Sequence, residues 1–250
     1  LLKPFLIIIL ASILSNNKNS NLYLKYLLSI VIISTISLFL IMQPDIGQTL
    51  LVVFSWGVLI FTSGINIFFL LVFAIFLSIF LTFLIIYVPR FDYIQGRIFS
   101  FFNRDTGVHN FQSDKAIDSI VSGGFFGKGI GEGTLKNRVP EAHTDYIISV
   151  ISEEFGVIAI MLILLLFLIL IYRVLKKVNY EKNEKAKLVL IGCVSLILMQ
   201  VTIHVGVNIR LFPTTGMTLP FLSYGGSSIV SISILSGIIL NLTKRKIDQY

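Results

Sequence analysis

The segment Pro140-Glu141-Ala142-His143-Thr144-Asp145 sets two carboxylates and an imidazole within five residues, directly before an apolar run that begins at Tyr146. A carboxylate where lipid meets water is partly desolvated, which raises its pKa and makes it a better proton acceptor. Asp145 is therefore the candidate general base. The competing role, slightly favoured on geometry alone, is structural, with Thr144 or Asp145 as N-cap of the helix starting at Tyr146. The two roles are compatible, because a capping position also fixes a carboxylate rigidly.

Three other features carry polar groups into an apolar context. Glu153-Glu154 lies about 12 Å from Asp145 along a helix axis, and acids inside a membrane default to a functional reading. At 100° per residue Asp145, Ser149, Ser152 and Gly156 share one face, Glu153 flanks it and Glu154 points nearly opposite. At most one of the two acids lines a cavity with Asp145, and the other pairs with a buried donor on another helix. Gln200, His204 and Asn208 recur at i, i+4 and i+8, a spacing that reads better as interhelical hydrogen bonding than as a metal site. The stretch from Phe212 to Ser228 holds two prolines and three glycines and cannot be continuous helix. At membrane depth such backbone is tolerated only where protein buries it or a water-filled cavity adjoins it. That places a cleft at this end, unless the Gly225-Gly226 pair serves only close packing.

Gly127-Lys128-Gly129-Ile130-Gly131-Glu132-Gly133 lacks the strand, helix and Ser or Thr of a P-loop, yet its amides with Lys128 and Lys136 could hold a pyrophosphate. Histidines at 109, 143 and 204 are too scattered for a zinc centre. The single cysteine, Cys193, lies in an apolar run and reads as a small buried hydrophobe.

The scaffold that must position these groups is a membrane bundle. The chain is 55% apolar and 13% charged, with a mean hydropathy of +0.90. Apolar runs predict spans over 25–42, 46–63, 66–88, 146–172, 188–212 and 226–242. With Phe5–Leu14, read as the tail of a span that begins upstream, they give seven crossings in one domain over 1–250. No basic segment precedes that first run, so a signal peptide fits poorly. Between 89 and 145 lies a long hydrophilic segment whose phenylalanines argue for order against the membrane surface.

Charge sets the orientation. Segments 15–25, 173–187 and the tail carry eleven basic against three acidic residues, whereas 90–145 carries seven of each. The basic side is cytoplasmic, so the long segment and Asp145 face outward. The net charge of +7 thus follows from topology, and no nucleic-acid partner is called for.

Six segments taken together resemble one family: Gln43-Pro44-Asp45-Ile46-Gly47, Phe111-Gln112 through Lys115-Ala116, Gly123-Gly124 through Gly133, Pro140 through Ile147, Glu153-Glu154-Phe155-Gly156, and Leu219 through Ser228. They are similar, in order, to the SEDS family (shape, elongation, division and sporulation), and Ala142 and Thr218 match its division branch. The resemblance implies an all-α polytopic membrane bundle of ten helices, of which this chain holds about seven, helices four to ten, with one large extracytoplasmic loop. It implies a peptidoglycan glycosyltransferase that polymerises lipid II at the outer face of the bacterial cytoplasmic membrane, at the division septum.

The family's essential acid aligns with Asp145, which would deprotonate the acceptor 4-hydroxyl. His143, Glu141, Lys128, Lys136, Arg97, Glu153, Ser223 and Arg210 are the candidate substrate contacts. A divalent cation, Mg or Mn, on the diphosphate is compatible with the resemblance, with no ligand set legible. The implied partners are lipid II, the bilayer, a class B penicillin-binding protein and other divisome membrane proteins. Departures are His204 where the branch has Asn, Arg210 where it has Gly, and Thr215 where it often has Lys. Two alternatives stand beside transfer: a lipid II flippase using Glu153 or Glu154 as coupling acid, and a non-catalytic scaffold that activates a transpeptidase.

Overall fold

The computed structural model describes residues 2–15, 22–103 and 108–244. Lys18, Arg104, Asp105, Arg245, Lys246 and Asp248, which enter the charge counts, lie outside them. Among the described residues every regular element is helical: α1 Leu2–Leu14, α2 Leu22–Met42, α3 Ile46–Thr62, α4 Ile67–Tyr87, α5 Asp92–Asn103, α6 Val108–Gly123, α7 Ile147–Val178, α8 Glu184–Asn208 and α9 Gly226–Thr243. All but α5 and α6 are the apolar runs of the sequence. Four helices, in α2, α7, α8 and α9, are long and apolar enough to cross a membrane, and α1, α3 and the Ile67–Ile79 part of α4 are shorter apolar helices.

The bundle is organised around α8, which packs against α1, α3, α7 and α9. A helix apolar on every side belongs in a core, and Leu190, Cys193 and Ile197 of α8 are fully buried. By contrast α2 and α4 present large exposed apolar faces, as helices bordered by lipid do. Polar side chains in this setting find partners within the protein, as where the Trp56 indole N–H donates to Ser29 Oγ at 3.3 Å. Two helices that begin beside loops carry side-chain caps. Asp45 accepts from the Gln48 amide at 3.0 Å, and Asn183 accepts from the Lys185 amide at 3.0 Å.

One element differs from its sequence reading. The uninterrupted span expected from 146 to 172 is broken at Gly156, whose φ of 81° and ψ of 174° are not helical. The break frees backbone groups, and the outer loop takes them. Lys128 N donates to Glu153 O at 2.8 Å and Gly129 N to Glu154 O at 3.0 Å, while Val157 N donates to Gly124 O at 3.0 Å and Ile158 N to Phe125 O at 3.4 Å. Residues 124–129 are thus spliced into α7. Glycine is required on both sides of the splice, because Gly127 and Gly156 have positive φ and approach backbone closely. A Cβ on Gly127 would meet Glu154 O, and one on Gly156 would meet Phe125 O.

The stripe Ser149, Ser152, Gly156 is the face that receives α6. Ser119 Oγ donates to Ser149 O at 3.4 Å, and Gly123 lies against Ser152 O.

Candidate active site

The turn before α7 is organised by one carbonyl. Glu141 O accepts from the amides of Thr144, Asp145 and Tyr146 at 3.1, 3.0 and 3.3 Å. Glu141 itself sits in the left-handed region at φ 54°, a conformation uncommon for a non-glycine residue and frequent at functional sites. Its carboxylate accepts from Thr144 Oγ1 at 2.9 Å. Helix α7 begins at Ile147 with Tyr146 at the N-cap position and no side-chain capping bond. Neither Thr144 nor Asp145 is the cap that the sequence suggested. The Asp145 carboxylate is left without that structural duty.

Three successive carbonyls of the turn are then fixed from outside it. Tyr224 N donates to His143 O at 2.9 Å, Ser223 Oγ donates to Thr144 O at 2.6 Å, and Asn208 Nδ2 donates to Asp145 O at 3.0 Å. Ser223 Oγ also accepts from Leu219 N at 2.7 Å, so the hydroxyl joins both loops.

The segment between α8 and α9 reaches down beside α8, and the polar stripe of α8 accompanies it. Asn208 meets Asp145, His204 Nδ1 donates to Met217 O at 2.6 Å, and Gln200 Nε2 donates to Thr218 O at 2.8 Å. Two helical turns separate Asn208 from Gln200, a descent of about 12 Å. Irregular backbone at that depth needs protein partners, and these side chains supply them. The hydrogen-bonding role expected for the stripe is present, with loop backbone as the acceptor rather than another helix.

Above this loop lies an open polar cleft of about 510 Å³, lined by Gln43, Pro44, Asp45, Arg97 and Thr215. Arg97, from α5, donates Nη1 to Thr214 O at 2.7 Å and lies within electrostatic reach of Asp145. A Cβ built on Gly216 would lie 3.5 Å from Asp145 Oδ2, so the carboxylate rests beside Gly216, the residue that follows Thr215 of the cleft lining. Burial, first, and the Glu141 carboxylate, second, push the Asp145 carboxyl above the usual carboxylate range, while the Arg97 guanidinium pulls it back. Asp45 also lies within electrostatic reach of Lys3 at the start of α1. Glu141 and His143 are exposed.

Lys128, Lys136 and Glu153 sit elsewhere, whereas Arg210 lines a small pocket together with Arg97 and Thr214. Glu153 is fully buried and accepts from Leu135 N at 2.9 Å, Lys136 N at 2.6 Å and Ser119 Oγ at 2.9 Å, with Lys128 Nζ at 3.6 Å. Glu154 pairs with Lys136 Nζ and accepts from Gly131 N at 3.2 Å. Both acids and both lysines therefore brace the spliced loop. Arg210, at φ 56°, pairs with Asp114 of α6.

Sequence reasoning gave no role to Gln43 or Asp45, although they belong to a motif it quoted. The signal was a carboxylate following proline at a helix start. Among the described residues no group of three or more His, Cys, Asp or Glu side chains could hold a metal ion.

This architecture has known counterparts. The family described as "Cell cycle protein", comprising FtsW, RodA and SpoVE, matches residues 1–247. The chain is 32% identical over 211 residues to the probable peptidoglycan glycosyltransferase FtsW of Caulobacter vibrioides, covering 84% of this chain and 53% of that one. It is 39% identical over 151 residues to the stage V sporulation protein E of Bacillus subtilis, covering 59% of this chain and 41% of that one. The chain thus spans about half the length of these relatives. Among solved structures, a peptidoglycan synthase complex aligns with a TM-score of 0.75 at 24% identity, covering 98% of this chain and 69% of that one. The rod shape determining protein RodA of Thermus thermophilus aligns with a TM-score of 0.61 at 26% identity, covering 96% and 62%.

Proposed function

The chain belongs to the FtsW/RodA/SpoVE family, and from that premise we propose that its full-length parent is a peptidoglycan glycosyltransferase that polymerises lipid II, with Asp145 as general base. The bundle is embedded in the bacterial cytoplasmic membrane, the cleft opens outward, and the division septum is the place of work. The observation that carries this reading is the Asp145 carboxylate, free of a capping bond, held through its backbone by Asn208 within electrostatic reach of Arg97 of the cleft, and raised in pKa.

In the proposed reaction Asp145 takes the proton of the acceptor sugar's 4-hydroxyl. The oxygen attacks the anomeric carbon of the donor sugar from the face opposite its diphosphate. The new glycosidic bond forms as the carbon–phosphate oxygen bond breaks, with inversion, and undecaprenyl diphosphate leaves with the electron pair. A base of raised pKa is better matched to a neutral operating pH than an ordinary aspartate. Arg97 offers a fixed cation beside the reacting groups, where a guanidinium suits the developing diphosphate charge. Ser223 and Asn208 act on the turn backbone and serve as positioning residues. Glu141 and His143, both exposed, are available to sugar hydroxyls.

The flippase alternative draws on Glu153 or Glu154 as a coupling acid. Their engagement with Leu135, Lys136, Ser119 and Gly131 favours transfer over transport. The proposed partner is a class B penicillin-binding protein, in keeping with the fold's likeness to a component of a peptidoglycan synthase complex.

The test is lipid II polymerisation in liposomes by the full-length parent with its transpeptidase partner. Asp145→Asn is expected to lower the rate by about 10²–10⁴-fold, the usual worth of a general base. Equal polymerisation by the variant overturns the reading. Transbilayer movement of labelled lipid II, with no polymer from either protein, puts the flippase in its place.

A further inference from the structure

The splice at Gly156 fixes how high the outer loop rides over the membrane. The apolar part of α7 beyond the break, from Val157 to Tyr172 just before Arg173, measures about 24 Å at 1.5 Å per residue, most of a hydrocarbon core of about 30 Å. Its exposed face is apolar, with Met161, Leu162, Leu165 and Leu166. The break therefore lies within about one helical turn of the outer boundary of the core. Ile158 N holds Phe125 O at that level. Phe125 and Phe126 are 72% and 83% exposed, and they continue the lipid-facing surface of α7.

A second apolar patch lies on α5. That helix follows the outer end of α4 after one 3-10 turn at Pro89–Phe91. Phe99 and Phe102, spaced i, i+3 on one face, are 57% and 74% exposed. Arg97, roughly opposite at 100° per residue, faces the cleft and bonds Thr214 O. This segregation, with aromatic side chains on one side and a cation on the other, is that of a helix lying in the membrane interface. The exposed apolar face of α4, including Phe83 and Tyr87, leads directly to it.

We propose that the outer segment is a two-point interfacial anchor, with Phe99 and Phe102 of α5 and Phe125 and Phe126 of the spliced loop inserted into the outer leaflet. The occupant of both patches is phospholipid, because each patch continues a lipid-bordered helix face at the helix's outer end. The anchor pins both α5, which carries Arg97, and the loop joined to the half-helix that begins after Asp145. Resting on the function proposed above, it would hold the cleft at the height where the polar head of a lipid-linked sugar leaves the bilayer. The anchor itself requires only that the protein sit in a membrane.

The experiment places single nitroxide labels on the full-length parent in phosphatidylethanolamine–phosphatidylglycerol liposomes, with no partner protein present. Phe102→Cys and Phe126→Cys test the two points, and Asp118→Cys on α6 is the water-facing control. Cys193 is fully buried and stays in place, its background read from the unsubstituted protein. Both Phe positions are expected to be relaxed more by oxygen than by a water-soluble nickel chelate, at depths of about 5–10 Å below the headgroups. Asp118→Cys is expected to show the reverse. A label at 102 or 126 with the nickel accessibility of the control overturns the proposal. So does a label that becomes protected only when a partner protein is added, since the occupant is then protein.

Discussion

Asn208 on α8 donates its side-chain amide to the backbone carbonyl of Asp145 at 3.0 Å, across 63 residues of sequence. The same nitrogen donates to His204 O at 2.9 Å, so the amide orientation is fixed by two acceptors. The central, most buried helix of the bundle thereby sets the position of the candidate base. Asn208→Ala removes that link and leaves a carbonyl short of a donor, at a cost of about 1–3 kcal/mol. A misplaced base costs rate more than binding, so kcat is expected to fall by about 10- to 100-fold with KM little changed. Steady-state polymerisation kinetics on protein shown folded by thermal melting check this.

The splice predicts a ranking among glycines. Gly156→Ala and Gly127→Ala each force a Cβ into backbone from a positive φ, and each is expected to destabilise by more than about 2 kcal/mol. Gly131 also has a positive φ, but a Cβ there meets nothing within 4 Å. Gly131→Ala is therefore expected to cost only about 1 kcal/mol. Unfolding midpoints in one detergent order the three variants, and protease nicking after Lys128 should report opening of the loop in the first two only.

Arg210 offers two opposed effects in one side chain. Its φ of 56° costs about 1 kcal/mol relative to glycine, and its ion pair with half-exposed Asp114 returns a similar or smaller amount. Arg210→Gly is expected to change stability by less than about 1 kcal/mol. Arg210→Ala keeps the strain and loses the pair, and should melt lower than both. The same measurement on Asp114→Asn separates the two contributions.

The apolar helices and the all-helical class were legible in composition and run length, because lipid demands both. The turn at 140–145 was legible as well, since acids and a histidine at the edge of an apolar run are rare enough to be noticed. The break at Gly156 was not. Hydropathy continues unchanged across it, and a glycine in an apolar helix reads as a packing site. Its partners lie about 30 residues earlier, and backbone hydrogen bonds carry no side-chain signature. For the same reason one of Glu153 and Glu154 was expected to line a cavity with Asp145 and the other to pair with a donor on another helix, whereas both bind amides of the loop that fills the break. The meeting of Arg97, Asp45 and Thr215 in one cleft joins three distant segments, and periodicity says nothing about such convergence. The cap assignment failed on a smaller scale. Glu141 O takes the amides of Thr144, Asp145 and Tyr146, and the helix starts one residue later than expected, at Ile147 behind Tyr146.

The central claim is that Asp145 acts as a base tuned by burial and by Glu141. The most direct measurement is the pH dependence of lipid II polymerisation by the full-length parent with its partner, at low ionic strength, for wild type, Asp145→Asn and Glu141→Gln. The base works deprotonated and its pKa is raised, so the wild-type rate should fall as pH falls through a value above the ordinary carboxylate range. Glu141→Gln removes a neighbouring negative charge and lowers that pKa, so its acid limb should move to lower pH. Asp145→Asn should be slow and show no such limb. If Asp145→Asn keeps the wild-type rate and the same acid limb, the base is another group and the account of this site is contradicted.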